Sequence, residues 1–234
     1  MTQTFFRNFG SFWDNLYDFV MNGRDVMTKR PFFPIRGIAF ARKVIPLWHL
    51  TDLSKYMELT DLLYDCSKRQ KKGLHFIVAS ILIWGLILAV HLTSLSLEQK
   101  NLFTFCCSAV LFPVAWGLSK ALKIDFEGKG NPLTKLGILF SMNQILYILI
   151  AMWVFAAVPD KMLMVYAMIF GAHLMPFSWL YQSRSYLVCS IVIPILSLVV
   201  GLAYPPYILA AVMVIVESVF SVCLIWENKM ENEG

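Results

Sequence analysis

Residues 73–93 read GLHFIVASILIWGLILAVHLT, a run without Asp, Glu, Lys or Arg. A helix needs about 20 mainly apolar residues to cross about 30 Å of hydrocarbon, so this stretch alone is long enough to span a bilayer. The same reading extends to 102–121, 133–158, 162–181, 186–204 and 206–226, giving six spans. Between them lie SLSLEQKN, KIDFEGKGNP, Pro159-Asp160-Lys161, residues 182–185 and Pro205-Pro206. These short, polar or breaker-rich connections predict antiparallel neighbours packed side by side.

Composition agrees with lipid as the main solvent. Of 234 residues, 58% are hydrophobic and 15% charged, against about 25% charged in an ordinary soluble domain; mean hydropathy is +0.64. The net charge of +5 is spread between apolar blocks rather than gathered in a basic domain, which argues against nucleic acid as a partner. Lys68, Arg69, Lys71, Lys72, Lys120, Lys123, Lys129, Lys135, Arg184 and Lys229 fall on one side of the six-span arrangement, with Lys100 and Lys161 on the other. By the positive-inside rule both termini are predicted to be cytoplasmic. The expectation is thus an all-α integral membrane bundle of six transmembrane helices, N-in and C-in. Trp179, Tyr181, Tyr186, Tyr204, Tyr207 and Trp226 lie near span ends, where interfacial aromatic belts are expected.

Residues 1–72 differ in character. Phe5, Phe6, Phe9, Phe12, Trp13, Leu16, Tyr17 and Val20 recur at helical spacing, as in a helix lying in the membrane interface. Met57 heads a simple amphipathic lead-in and is a candidate translational start. The expected organisation is an amphipathic or poorly ordered N-terminal extension at 1–56, a cytoplasmic lead-in at 57–72, the six-helix domain at 73–227 and a cytoplasmic tail at 228–234.

Polar groups at membrane depth are the candidate functional residues, because a lone ionisable side chain at the bilayer centre costs roughly 2.5 to 3.5 kcal/mol on insertion scales. Counting at about 1.5 Å per residue puts Glu217 about 16 Å, Asn143 about 15 Å and His173 about 12 Å from a span end. The three are therefore expected at similar depth, with Gln144 and Ser221 as further hydrogen-bonding groups in a substrate or proton site. Ser221 shares a helix face with Glu217. Pro113, Pro176 and Pro194 each remove the hydrogen bond to the carbonyl four residues earlier, so the second, fourth and fifth spans are expected to be interrupted there, a feature tolerated where backbone lines a cavity or is buried in protein. The competing account is structural, with Asn, Gln and His joining helices through hydrogen bonds. Small residues four apart, Gly137 and Ser141, Ala167 and Gly171, and Ser197 and Gly201, permit close helix approach.

No His-Glu-x-x-His, Gly-x-Ser-x-Gly, P-loop or dinucleotide-binding glycine pattern occurs, so no enzymatic activity, cofactor or metal is expected. The five cysteines form no Cys-x-x-Cys pair and read as small packing residues. His75 and His91 sit at opposite ends of the first span and read as interfacial.

KKGLHFIVAS at 71–80, NPLTKLGILFSMNQILYILIAMWVFAAVP at 131–159 and GAHLMPFSWLYQS at 171–183 resemble a family of small, uncharacterised bacterial multi-pass membrane proteins, a domain-of-unknown-function family. The resemblance runs from about residue 70 to 195 and implies a bacterial cytoplasmic membrane location, without implying an activity. The expected function is that of a small transporter or permease-like protein acting on a small molecule or proton at a midplane polar site. The alternative is a non-catalytic membrane protein acting through helix association with a partner or with itself as a homo-oligomer.

Overall fold

A computed structural model describes residues 59–126 and 130–233, the last two as backbone. The expectations for residues 1–56 lie outside the described residues. Among those described there is no strand, and six helices are long and apolar enough to cross a membrane. The class expected from residues 73–93 is therefore the one found: an all-helical, multi-pass membrane fold.

Residues 59–69 form a helix, α1, which enters a turn before the first span. Lys71, Lys72 and Gly73 have φ of 45°, 52° and 67°, three consecutive left-handed residues of which only glycine adopts that state without steric cost. A Cβ on Gly73 would stand 3.0 Å from Tyr186 Oη and 3.1 Å from Tyr181 Cε2. The turn thus redirects the chain into α2, Leu74–Leu92.

The second span is two helices, α3 at Leu97–Ala109 and α4 at Leu111–Ala121. It begins inside the SLSLEQKN stretch, earlier than residue 102. The reason is a capping box: Gln99 N–H donates to Ser96 Oγ at 3.3 Å, and Ser96 N–H donates to Gln99 Oε1 at 3.1 Å. This satisfies amide groups that would otherwise be stranded at a helix start. The break at Val110 precedes Pro113, which has no N–H for the Ala109 carbonyl.

Helix α5, Leu133–Ala157, is continuous. The fourth span comprises a 3-10 turn at Pro159–Lys161, α6 at Met162–Ala172 and α7 at Met175–Leu180. Its break at His173 and Leu174 lies immediately before Pro176, where the sequence places the missing amide. The break expected at Pro194 does not occur: α8, Arg184–Ala203, carries that proline without interruption, the loss of one backbone hydrogen bond being absorbed within the helix. The last helix, α9, Pro206–Glu233, extends through the segment expected to be a tail.

Packing divides the spans unequally. Helix α2 packs most extensively on α9, and α6 on α8, while α5 meets chiefly α6, α7 and the Pro159 turn. Gly171 allows the α6–α8 contact, since a Cβ there would lie 2.6 Å from Ile193 Cγ2 and Pro194 Cδ; Gly201 meets the Met164 side chain in the same way. Such close approach is a principal source of helix association in lipid, where apolar side chains gain little by leaving hydrocarbon. Trp84, Ile87, Met162, Leu163, Met213, Phe220 and Leu224 fill the core. Only 11% of the apolar stretch of α5 is buried, against 50% of the first span.

Candidate functional site

Glu217 lies fully buried on α9 at the contact with α2. Its Oε2 is 2.6 Å from Ser80 Oγ, and Ser80 Oγ is also 2.7 Å from the Ile77 carbonyl. The hydroxyl has one proton to donate. If that proton goes to Ile77, Glu217 must be the donor and therefore a neutral acid; if it goes to Glu217, the carboxylate is the acceptor. One heavy-atom arrangement thus accommodates both protonation states. Glu217 Oε1 and Ser221 Oγ have no hydrogen-bond partner among the described residues, and Tyr186 and Cys189 of α8 lie within electrostatic reach of the carboxyl.

Depth along the membrane normal, which suggested convergence, says nothing about rotation around each helix. Asn143 is exposed on α5, and its amide donates to Tyr147 Oη of the same helix at 2.9 Å. It is therefore separate from the Glu217 site. Gln144 is half-buried on the neighbouring flank of α5, where no hydrogen bond joins it to Glu217. His173 is half-buried at the break in the fourth span, its Nδ1 against the Phe170 carbonyl and its ring edge-on to Phe170 and Phe177. Of the five sequence candidates, only Glu217 and Ser221 stand together, one turn apart on α9, and the partner of Glu217 is Ser80 of the first span. A serine in an apolar helix carries little sequence signal by itself.

A second polar assembly surrounds the left-handed turn at the Lys-rich end. Lys72 is buried and pairs with Glu231 at 2.7 Å. Tyr186 Oη donates to the Lys72 carbonyl at 2.9 Å, Asn228 Nδ2 to the Lys71 carbonyl at 3.1 Å, and Lys71 Nζ to the Leu122 carbonyl at 2.8 Å. Tyr181 Oη donates to Gln70 Oε1 at 2.8 Å, and Ser67 Oγ to the Tyr181 carbonyl at 3.1 Å. Glu227 accepts from Ser183 Oγ at 2.6 Å and from the Ser185 amide and hydroxyl at 2.8 and 2.6 Å. One turn thereby ties the ends of four spans and the loop before α5. Tyr181 and Tyr186 are interior members of this network, not interfacial anchors, whereas Trp179, Tyr204, Tyr207 and Trp226 are exposed.

Outside the spans, burial pushes the Cys66 thiol up to about 11. Asp65 is held below the ordinary carboxyl range, first by the Asn131 amide and then by Arg69, with Asn131 Nδ2 at 3.0 Å and Arg69 Nε at 2.7 Å.

His75 and His91, at opposite ends of α2, are both buried against protein. His91 Nε2 meets Thr104 Oγ1 at 3.2 Å, while both His75 ring nitrogens lack hydrogen-bond partners among the described residues. Among the described residues no cluster of His, Cys, Asp and Glu is arranged to hold a metal ion.

The six apolar helices and the enclosed carboxyl define a multi-pass integral membrane protein. Its chain belongs to a family of unknown function, DUF7010, whose model matches residues 59–227. No curated protein and no solved structure matches it.

Proposed function

We propose that this protein is a small proton-linked membrane carrier in which Glu217 binds and releases the proton, without enzymatic chemistry. The observation that supports the reading is the Glu217–Ser80–Ile77 chain, at 2.6 and 2.7 Å, which holds one carboxyl in place in either protonation state. An intramembrane carboxyl paired across two helices is the usual material of proton relays. Ser221 and the unpartnered Glu217 Oε1 supply the position at which a proton or small hydrogen-bonding solute is received. Discontinuous helices accompany such sites in carriers, and the second and fourth spans are both broken.

In this reading the lipid is that of a bacterial cytoplasmic membrane, the six-helix domain covers 73–227, and the Lys-rich end with both termini faces the cytoplasm. The test is proton flux into vesicles reconstituted with the full chain, loaded with a pH-sensitive dye and held at zero membrane potential. Glu217→Gln should abolish protein-dependent flux and leave the melting temperature near that of the unsubstituted protein. Equal flux from the two proteins overturns the assignment, as does the absence of protein-dependent flux in the unsubstituted one.

A further inference from the structure

Helix α5 carries a hydrogen-bonding edge where hydrocarbon surrounds it. Asn143 is exposed, ten residues and about 15 Å along the helix from Leu133. Leu139, Leu146, Tyr147 and Ile150 lie within about 60° of it around the axis and are exposed at 61%, 62%, 37% and 50%. The bond to Tyr147 uses one amide hydrogen. The carboxamide oxygen, the second amide hydrogen and the phenol hydrogen have no hydrogen-bond partner among the described residues. Lipid tails offer neither donors nor acceptors.

We propose that this face is an interface between two copies of the chain, with Asn143 paired across a two-fold axis. A carboxamide donates through nitrogen and accepts through oxygen, so two of them related by such an axis satisfy one another. Copies inserted in the same sense carry residue 143 at the same depth, and an axis along the membrane normal makes the contact isologous. A partner of different chemistry would need a matching group at that depth, which a second copy has by construction.

The intramolecular contacts of α5 leave the middle of the face, from Leu139 to Ile150, free, while Val154, about 20° from Asn143 around the axis, is buried toward the far end of the helix. A Cβ on Gly137 would meet Leu180, Phe140 packs edge-on to Phe177, and Ala151 and Val154 are buried. Leu139, Leu146 and Ile150 can therefore bury against their counterparts without displacing an existing helix. The proposal is independent of the proton site, since Asn143 shares no contact with Glu217.

The full chain in phosphatidylcholine–phosphatidylglycerol vesicles tests it by single-molecule photobleaching over a series of protein-to-lipid ratios. A reversible monomer–dimer equilibrium is expected. Asn143→Leu, present in both copies, should weaken the association constant about 10- to 1000-fold, the range of the two reciprocal interhelical hydrogen bonds lost, and Asn143→Gln should retain most of it. Asn143→Leu puts an apolar side chain toward lipid, so the monomer should remain folded. Under mild oxidation Leu146→Cys should give a disulfide dimer above the level set by the native cysteines, whereas Val192→Cys, 46% exposed on α8, should not. A monomer at every dilution, unchanged association of Asn143→Leu, or equal crosslinking at the two positions overturns the proposal.

Discussion

The third and sixth spans each carry a polar side chain near mid-depth, and the fold treats them in opposite ways. Glu217 is enclosed between α9 and α2 with a hydroxyl at 2.6 Å; Asn143 faces outward and bonds within its own helix. The difference lies in the helices rather than in the residues. The sixth span lies against the first over much of its length and closes on the Lys71–Gly73 turn, whereas the third touches its neighbours along one flank. A polar group in lipid thus acquires its role from the area its helix buries, and similar depth does not make two groups partners.

The largest way to break the contrast is at the closed end of the first–sixth pair. Glu231→Leu strands the Lys72 ammonium, whose side chain is 7% exposed. Removing one partner of a fully buried pair costs about 3 to 5 kcal/mol; with Glu231 itself 22% exposed, the expected loss is nearer the lower value. Thermal unfolding in detergent measures it, and Lys72→Met with Glu231→Leu together should recover part of the loss.

Gly73→Ala comes next, because the added methyl must sit at φ 67° against Tyr186 and Tyr181. A left-handed non-glycine residue costs of order 1 kcal/mol and a strained one up to about 3. An unfolding midpoint equal to that of the unsubstituted protein would show that the turn relaxes without resistance.

Matched substitutions sharpen the comparison directly. Glu217→Leu should cost roughly 0.6 to 2 kcal/mol through the lost interhelical bond, and Glu217→Gln less, since an amide can still meet Ser80. Asn143→Leu should leave monomer stability unchanged, as measured by denaturation at dilutions where the monomer dominates. Equal losses at the two positions would erase the distinction.

The smallest effect belongs to Asp65, outside the spans and 39% exposed. Asn131 and Arg69 depress its carboxyl in the folded chain. Its contribution to stability is therefore present above the unfolded carboxyl value of about 4 and lost as pH falls through the lower, folded value. Exposure screens the ion pair, leaving a few tenths of a kcal/mol. Asp65→Asn should lower stability at neutral pH by that small amount and leave it unchanged below the folded carboxyl value, which flattens the acid limb of a stability–pH curve.

The spans were legible because crossing hydrocarbon is a one-dimensional demand on length and apolar content, met by residues 73–93 without reference to any neighbour. Helix breaks near Pro113 and Pro176 were legible for a similar reason, since a missing amide acts on a carbonyl four residues away. The Ser96–Gln99 cap is also present in the sequence, but its hydrophilic letters suit a loop equally well, and only the reciprocal bonds of the folded chain make it a helix start. Ser80 carried no comparable signal, because a serine among apolar residues becomes a partner only when another helix supplies Glu217. The interior roles of Tyr181 and Tyr186 were hidden likewise: their acceptors, Gln70 and the Lys72 carbonyl, lie more than a hundred residues away in sequence.

Sequence by itself determined that this chain crosses a membrane with six helices and that Glu217 lies deep within one of them, for apolar length and helical rise are local quantities. Only the tertiary structure decided that Glu217 faces Ser80 while Asn143 faces outward, and that the Lys71–Gly73 turn gathers the ends of four spans. Those outcomes depend on the rotation and packing of helices about their axes, which separate stretches of sequence settle only together.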